Sequence, residues 1–257
     1  MAVASSGKGR AQGARPFAQK SGLRKFWENF KALLSALIFF IFLRTFIIEA
    51  YRIPSGSMIP TLLVGDWLFV NKLVYGPHIP FTNSHLPGYR DPRRGDVVVF
   101  KSPDQTDQPY DPNPTLVKRL VGEPGDTLYM RNGVLYQNGV VSKYNFKPQD
   151  SSQVFDSYDD LFVWQNRAAL KSSRFGAAPD KPTHDNWGPL VVPPDHYFMM
   201  GDSRYNSKDS RYWSFVPREN VRGQPMFVYY AYNADDSDKP LPFITDIRWS
   251  RIGHWIR

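Results

Sequence analysis

The chain opens on polar and basic residues and then runs apolar from Ala32 to Ile48, ALLSALIFFIFLRTFII, with Arg44 as the only charge. As a helix rising ~1.5 Å per residue this stretch spans about 26 Å, close to the ~30 Å hydrocarbon core of a bilayer. No polar face interrupts it, which argues against an interfacial helix and predicts a membrane span over 31–49. Arg44 lies near the far end, where its stem can carry the charge to the headgroups. No small-x-small cleavage site follows, because Glu49-Ala50-Tyr51-Arg52 leads straight into a Pro-Ser-Gly turn.

Beyond the span the pattern changes to short runs separated by turns. Gly65-Asp66, Gly95-Asp96 and Gly125-Asp126 each lead into a strand-like run, at 67–70, 97–100 and 127–130. Asn132-Gly133 and Asn138-Gly139 predict tight hairpin turns. Further strands are expected at 115–121, 196–200 and 225–230, and no long helical period recurs. The fold class expected is mainly β, built of antiparallel sheets and preceded by one transmembrane helix. The polar and aromatic stretch 141–194 reads as an inserted second subdomain. The tail from Trp249 to Trp255 is expected to touch the core or the membrane surface.

Composition narrows the chemistry. There is no cysteine, which excludes a disulfide scaffold, thiolate catalysis and a cysteine-held metal. The 22 prolines exceed the roughly 13 expected at about 5% usage, which suits a loop-rich β protein. Of the net charge of +8, +6 lies in residues 1–31, so the rest of the chain is nearly balanced. A nucleic-acid partner would require a basic stripe on the folded domain, so none is expected. The basic flank before the span keeps residues 1–30, a disordered tail, in the cytoplasm and sends 50–257 to the outer face. The histidines are scattered without metal-ligand spacing, and neither a cofactor nor a metal is expected.

Three clusters carry candidate chemistry. The first, at 51–65, is Tyr-Arg-Ile-Pro-Ser-Gly-Ser-Met-Ile-Pro-Thr-Leu-Leu-Val-Gly. It is either an ordinary turn or a hydroxyl pre-oriented between Pro54 and Pro60. The second is Thr115-Leu116-Val117-Lys118-Arg119-Leu120-Val121. Strand alternation gives Lys118 apolar neighbours on its own face. Burial would lower its pKa towards that of a general base, whereas an edge strand would leave it as a solvated gatekeeper. The third, Gly201 to Arg211, alternates acids and arginines, as a solvated loop or as one stiffened by charge-assisted bonds.

Taken in series, these clusters resemble the bacterial type I signal peptidases. Pro-Ser-Gly-Ser-Met with Pro-Thr-Leu, then Val-Lys-Arg-Leu-Val-Gly-x-Pro-Gly-Asp, then Gly-Asp-x-Arg-x-Asn-Ser-x-Asp-Ser-Arg follow the family's order from about residue 40 to 230. The resemblance implies a membrane-anchored serine endopeptidase that removes signal peptides from secretory preproteins at Ala-x-Ala sites. Its catalytic residues would be Ser57 as nucleophile and Lys118 as general base. Ser55 would complete the oxyanion hole, and Ser207 would orient the base. Met58, Arg119, Asp202, Asp209 and Arg211 would support the site, with Arg119 paired to Asp202. Partners implied are preprotein substrates, membrane lipid and the nearby export machinery, at the bacterial inner membrane. Ser203 and Tyr205 depart from the family's usual Asn and Asp. A repressor-type autoprotease would carry a helix-turn-helix in place of the anchor, and a silent tethered binding module would not need Ser57, Lys118 and Ser207 together.

Overall fold

The computed structural model describes residues 22–82, 84–103, 105, 109–146, 164–170 and 173–257. Most of the basic tail, and within 141–194 the stretches 147–163 and 171–172, lie outside the described residues. Helix α1, Gly22–Phe46, begins ahead of the apolar run and stops short of its end. Its apolar side chains are exposed all round, among them Leu33, Leu37, Phe39 and Phe40, as befits a helix whose solvent is lipid. The last residues of the apolar run instead enter strand β1, Ile48–Arg52, because Ile48 and Glu49 join a ladder to a neighbouring strand.

Among the described residues eleven strands, β1 included, form two antiparallel sheets. The first sheet joins β1 to β2 (Asp66–Asn71), β11 (Val221–Ala231), β3 (Val97–Lys101), β4 (Thr115–Gly122), β9 (His196–Met200) and β10 (Val216–Pro217), in that order. The second runs β7 (Val140–Val141), β6 (Val134–Gln137), β5 (Thr127–Arg131), β8 (Trp187–Val191). Three of its strands thus precede or open the stretch 141–194, and one closes it. Asn132-Gly133 and Asn138-Gly139 all adopt positive φ, the conformation that two-residue hairpin turns require.

The larger sheet is buried on both faces along β3. Val97 and Val99 join a cluster with Ile53, Met58, Leu62, Leu68 and Ile256, while Val98 and Phe100 join one with Tyr75, Leu120 and Trp213. A third cluster, including Val121, Phe198, Leu128 and Trp187, lies between the two sheets. Strand β11 pairs with β2 and β3 through several register shifts, and such bulges increase twist and let a sheet curl. At Gly223 a side chain would run into the Asn71 carbonyl, so glycine permits the close approach of β11 to β2.

Candidate active site

Ser57 sits in a single 3₁₀ turn, Gly56–Met58, that follows β1. Met58 is fully buried and anchors the turn in the first core cluster. Ser55, just before the turn, is extended and exposed, and its hydroxyl bonds no described residue. Ser203 N–H donates to the Ser57 carbonyl at 3.1 Å, tying the turn to the loop after β9. Gly201 lies where the two meet: a Cβ there would overlap both the Ser207 hydroxyl and the Ser57 carbonyl.

Strand β4 brings the second cluster to the same point. It is an internal strand, with β3 on one side and β9 on the other, so Lys118 is no solvated gatekeeper. Its Nζ lies 2.7 Å from Ser57 Oγ and 3.1 Å from the Val117 carbonyl, and the residue is only 4% exposed. Burial pushes its pKa down to about 8, against the pull of Asp209 and Asp202 and with help from Arg211. No carboxylate lies within ion-pair distance of it among the described residues.

Arg119, the next residue, points the other way and is fully partnered. Its Nε and Nη2 reach the two oxygens of Asp202 at 2.7 Å each, and Nη1 donates to the Gly95 carbonyl at 2.7 Å. Thr61 closes the pair, its hydroxyl donating to Asp202 at 2.5 Å and accepting from Arg119 at 3.2 Å. Asp209 caps the short helix α2, Ser210–Trp213, by accepting from Arg211 N–H. It also accepts from Gly201 N–H at 3.0 Å, from Ser207 Oγ at 2.8 Å and from Arg211 Nε and Nη2 at 2.8 Å each. Burial opposes its charge, yet Arg211 and these donors hold its pKa below the usual value. Arg211, opposed by the same burial, is held up by Asp209.

All nine residues singled out from the sequence therefore fall in or around one site. One contact differs from the resemblance: the Ser207 hydroxyl is turned to Asp209, and its bond is not to Lys118. Sequence reasoning gave no role to Thr61, although Pro-Thr-Leu was part of the motif, nor to Arg204. Arg204 is buried and donates to the Gly201 carbonyl at 3.1 Å. It also missed the apolar slot beside Ser57, about 70 Å³ and lined by Ile53, Leu68, Val99, Leu116 and Val117 along with Ser55 and Lys118. Those residues come from three strands and the loop after β1, so no local pattern marks them. Among the described residues no three His, Asp or Glu side chains converge as a metal site.

The site is thus a hydroxyl–amine pair buried beside a slot, with an ionic loop behind it. A family model described as signal peptidase, peptidase S26, matches residues 26–230. The chain belongs to the signal peptidase family. A signal peptidase I of Pseudomonas aeruginosa is 35% identical over 88% of this chain and 78% of its own length. One from Aquifex aeolicus is 33% identical, over 79% of this chain and 82% of its own. A crystal structure of a signal peptidase I from Enterococcus faecalis V583 is 29% identical, covers 52% of this chain and 97% of its own, and gives a TM-score of 0.32. As a signal peptidase the protein is a serine endopeptidase acting on secreted preproteins. Among the described residues one helix, near the N-terminus, is long and apolar enough to cross a membrane, in keeping with a single-pass protein of the bacterial inner membrane.

Proposed function

We propose that Ser57 is the nucleophile and Lys118 the general base of this signal peptidase. The observation that carries the reading is the 2.7 Å approach of Lys118 Nζ to Ser57 Oγ in a site that lowers the lysine pKa to about 8. Neutral Lys118 takes the Ser57 proton as Oγ attacks the scissile carbonyl. The exposed Ser55 hydroxyl and the Ser57 N–H, which donates to no described carbonyl, stabilise the oxyanion. Protonated Lys118 then gives its proton to the leaving amine, and after a water hydrolyses the acyl-enzyme the dyad is restored. Ser207 acts on the base through Asp209, while Arg119, Asp202, Asp209, Arg211 and Met58 keep the two loops rigid around it.

The substrate lies extended along the slot, between residues 51–55 and the Thr115–Val117 part of β4. That part of β4 extends beyond the pairing with β9, which begins at Arg119, so its edge is open for strand addition. The small, apolar slot suits the Ala-x-Ala preference. The exposed Trp249 and Trp255, beside the buried Ile256, offer lipid an aromatic surface next to the sheet. The anchor is helix α1, with the residues before it on the cytoplasmic side and the chain from β1 onward forming the outer catalytic domain, to which 141–194 contributes a second subdomain, and the enzyme works close to the export machinery.

The test uses detergent-solubilised full chain and a preprotein with an Ala-x-Ala site. Wild type should release the mature-size product, and Ser57→Ala and Lys118→Ala should not. Equal cleavage by all three proteins would overturn the assignment.

A further inference from the structure

An α-helix ends with its last carbonyls unpaired, and in a membrane anchor that end falls where lipid gives way to water. In this chain only Ile47 separates helix α1 from strand β1, so there is no linker. Ile47 N–H donates back to the Leu43 carbonyl at 2.9 Å, and Lys72 N–H donates to the Ile47 carbonyl at 2.9 Å. The Lys72 side chain, reaching over from the end of β2, completes the joint. Its Nζ donates to the Arg44 and Thr45 carbonyls at 2.9 and 3.3 Å and pairs with Glu49 at 2.7 Å. Glu49 in turn accepts from the Tyr51 hydroxyl at 3.0 Å. An ammonium has three protons, and all three are directed at the last helical turn and the first strand. The same charge meets the negative end of the helix dipole and offsets Glu49, which alone would repel it.

From this joint β1 pairs with β2 without a register shift, Ile48 opposite Asn71 through Arg52 opposite Trp67, and runs on into the slot and the Ser57 turn. We propose that Lys72 is a positioning residue that locks the last turn of the anchor to the catalytic sheet, so that Ser57 works at a set height on cleavage sites still held at the bilayer. A loose tether would spread Ser57 over a range of heights and lower its effective concentration at such a site. A short peptide in solution is under no such constraint. The inference rests on the Ser57–Lys118 reading.

The experiment compares the full chain in liposomes as wild type, Lys72→Met, Lys72→Arg, and a variant with Gly-Ser-Gly inserted between Phe46 and Ile47. Each is given a membrane-inserted preprotein and a short soluble peptide with the same cleavage site. Lys72→Met and the insertion should lower kcat/KM on the preprotein by about tenfold while leaving the peptide within about twofold, and Lys72→Arg should recover most of the loss. An equal loss on both substrates would assign Lys72 to the fold of the site and overturn the proposal, as would unchanged cleavage of both. A wild type inactive on both substrates would remove the dyad reading, and the proposal with it.

Discussion

On one side of β4 a buried lysine meets a serine hydroxyl and no carboxylate, while on the other side the adjacent arginine meets both oxygens of Asp202. Both cations are almost completely removed from water, at 4% and 3% exposure. Arg119 keeps its charge because a bidentate carboxylate, a carbonyl and a threonine replace its hydration. Lys118 has only Ser57 and the Val117 carbonyl, so desolvation acts on it largely uncompensated and its pKa drops to about 8. The same strand therefore builds a structural ion pair and a proton acceptor from neighbouring residues. The difference lies in what the loops before β2 and after β9 bring to each face.

That contrast can be broken from either side. The largest effect is expected from Lys118→Met, which should lower kcat by on the order of 10⁴–10⁶-fold with KM little changed, measured by steady-state cleavage. The same variant should be roughly 1–2 kcal/mol more stable at pH 7 in urea unfolding, since a methionine carries no charge to desolvate. Asp202→Asn should act in the opposite sense. It strands Arg119 as an uncompensated buried cation and should cost about 3–5 kcal/mol of stability. A variant as stable as wild type would mean that the pair is not structural.

Smaller effects sharpen the mechanism. Ser55→Ala should reduce kcat by about 10²–10³-fold without altering stability, because one oxyanion donor is worth roughly 2–4 kcal/mol. A rate within twofold of wild type would leave the backbone N–H as sole donor. The pH profile should be gentler still. Lys118 is active when neutral, so kcat/KM should fall about tenfold per unit as pH drops below about 8 and level off above it. A flat profile from pH 6 to 9 would exclude Lys118 as the base. Linkage gives a companion sign: the folded lysine holds its proton less tightly than the unfolded one, so its contribution to stability should rise with pH from about 8 up to its ordinary value near 10.5.

Much of this was legible along the chain because it depends on local pattern. The anchor is apolar on every face, and the Gly-Asp and Asn-Gly pairs mark where strands start and turn, since few other residues tolerate those backbone angles. The strand containing Lys118 and Arg119 was readable, as was the alternation that sends the two residues to opposite faces. The residues of the three boxes and their order carried the resemblance to the family. Other features were not legible, because each joins residues far apart in sequence. Whether β4 was an edge or an internal strand depended on where β9 returned. The pairing of Thr61 with Asp202, the turn of Ser207 towards Asp209, and the slot assembled from Ile53, Leu68, Val99 and Leu116 have no local signature.

The end of the anchor belongs to the second group as well. An apolar count carries the helix through Ile48, yet the chain turns at Ile47, since β2 offers Ile48 and Glu49 a ladder and Lys72 donates to the carbonyls of the helix end. Composition and periodicity act through neighbours a few residues away, and they were enough to specify the anchor, the strands and the chemical class of the side chains. Lowering the pKa of Lys118 requires removing water from it on every side, and only the closure of distant loops over β4 does that.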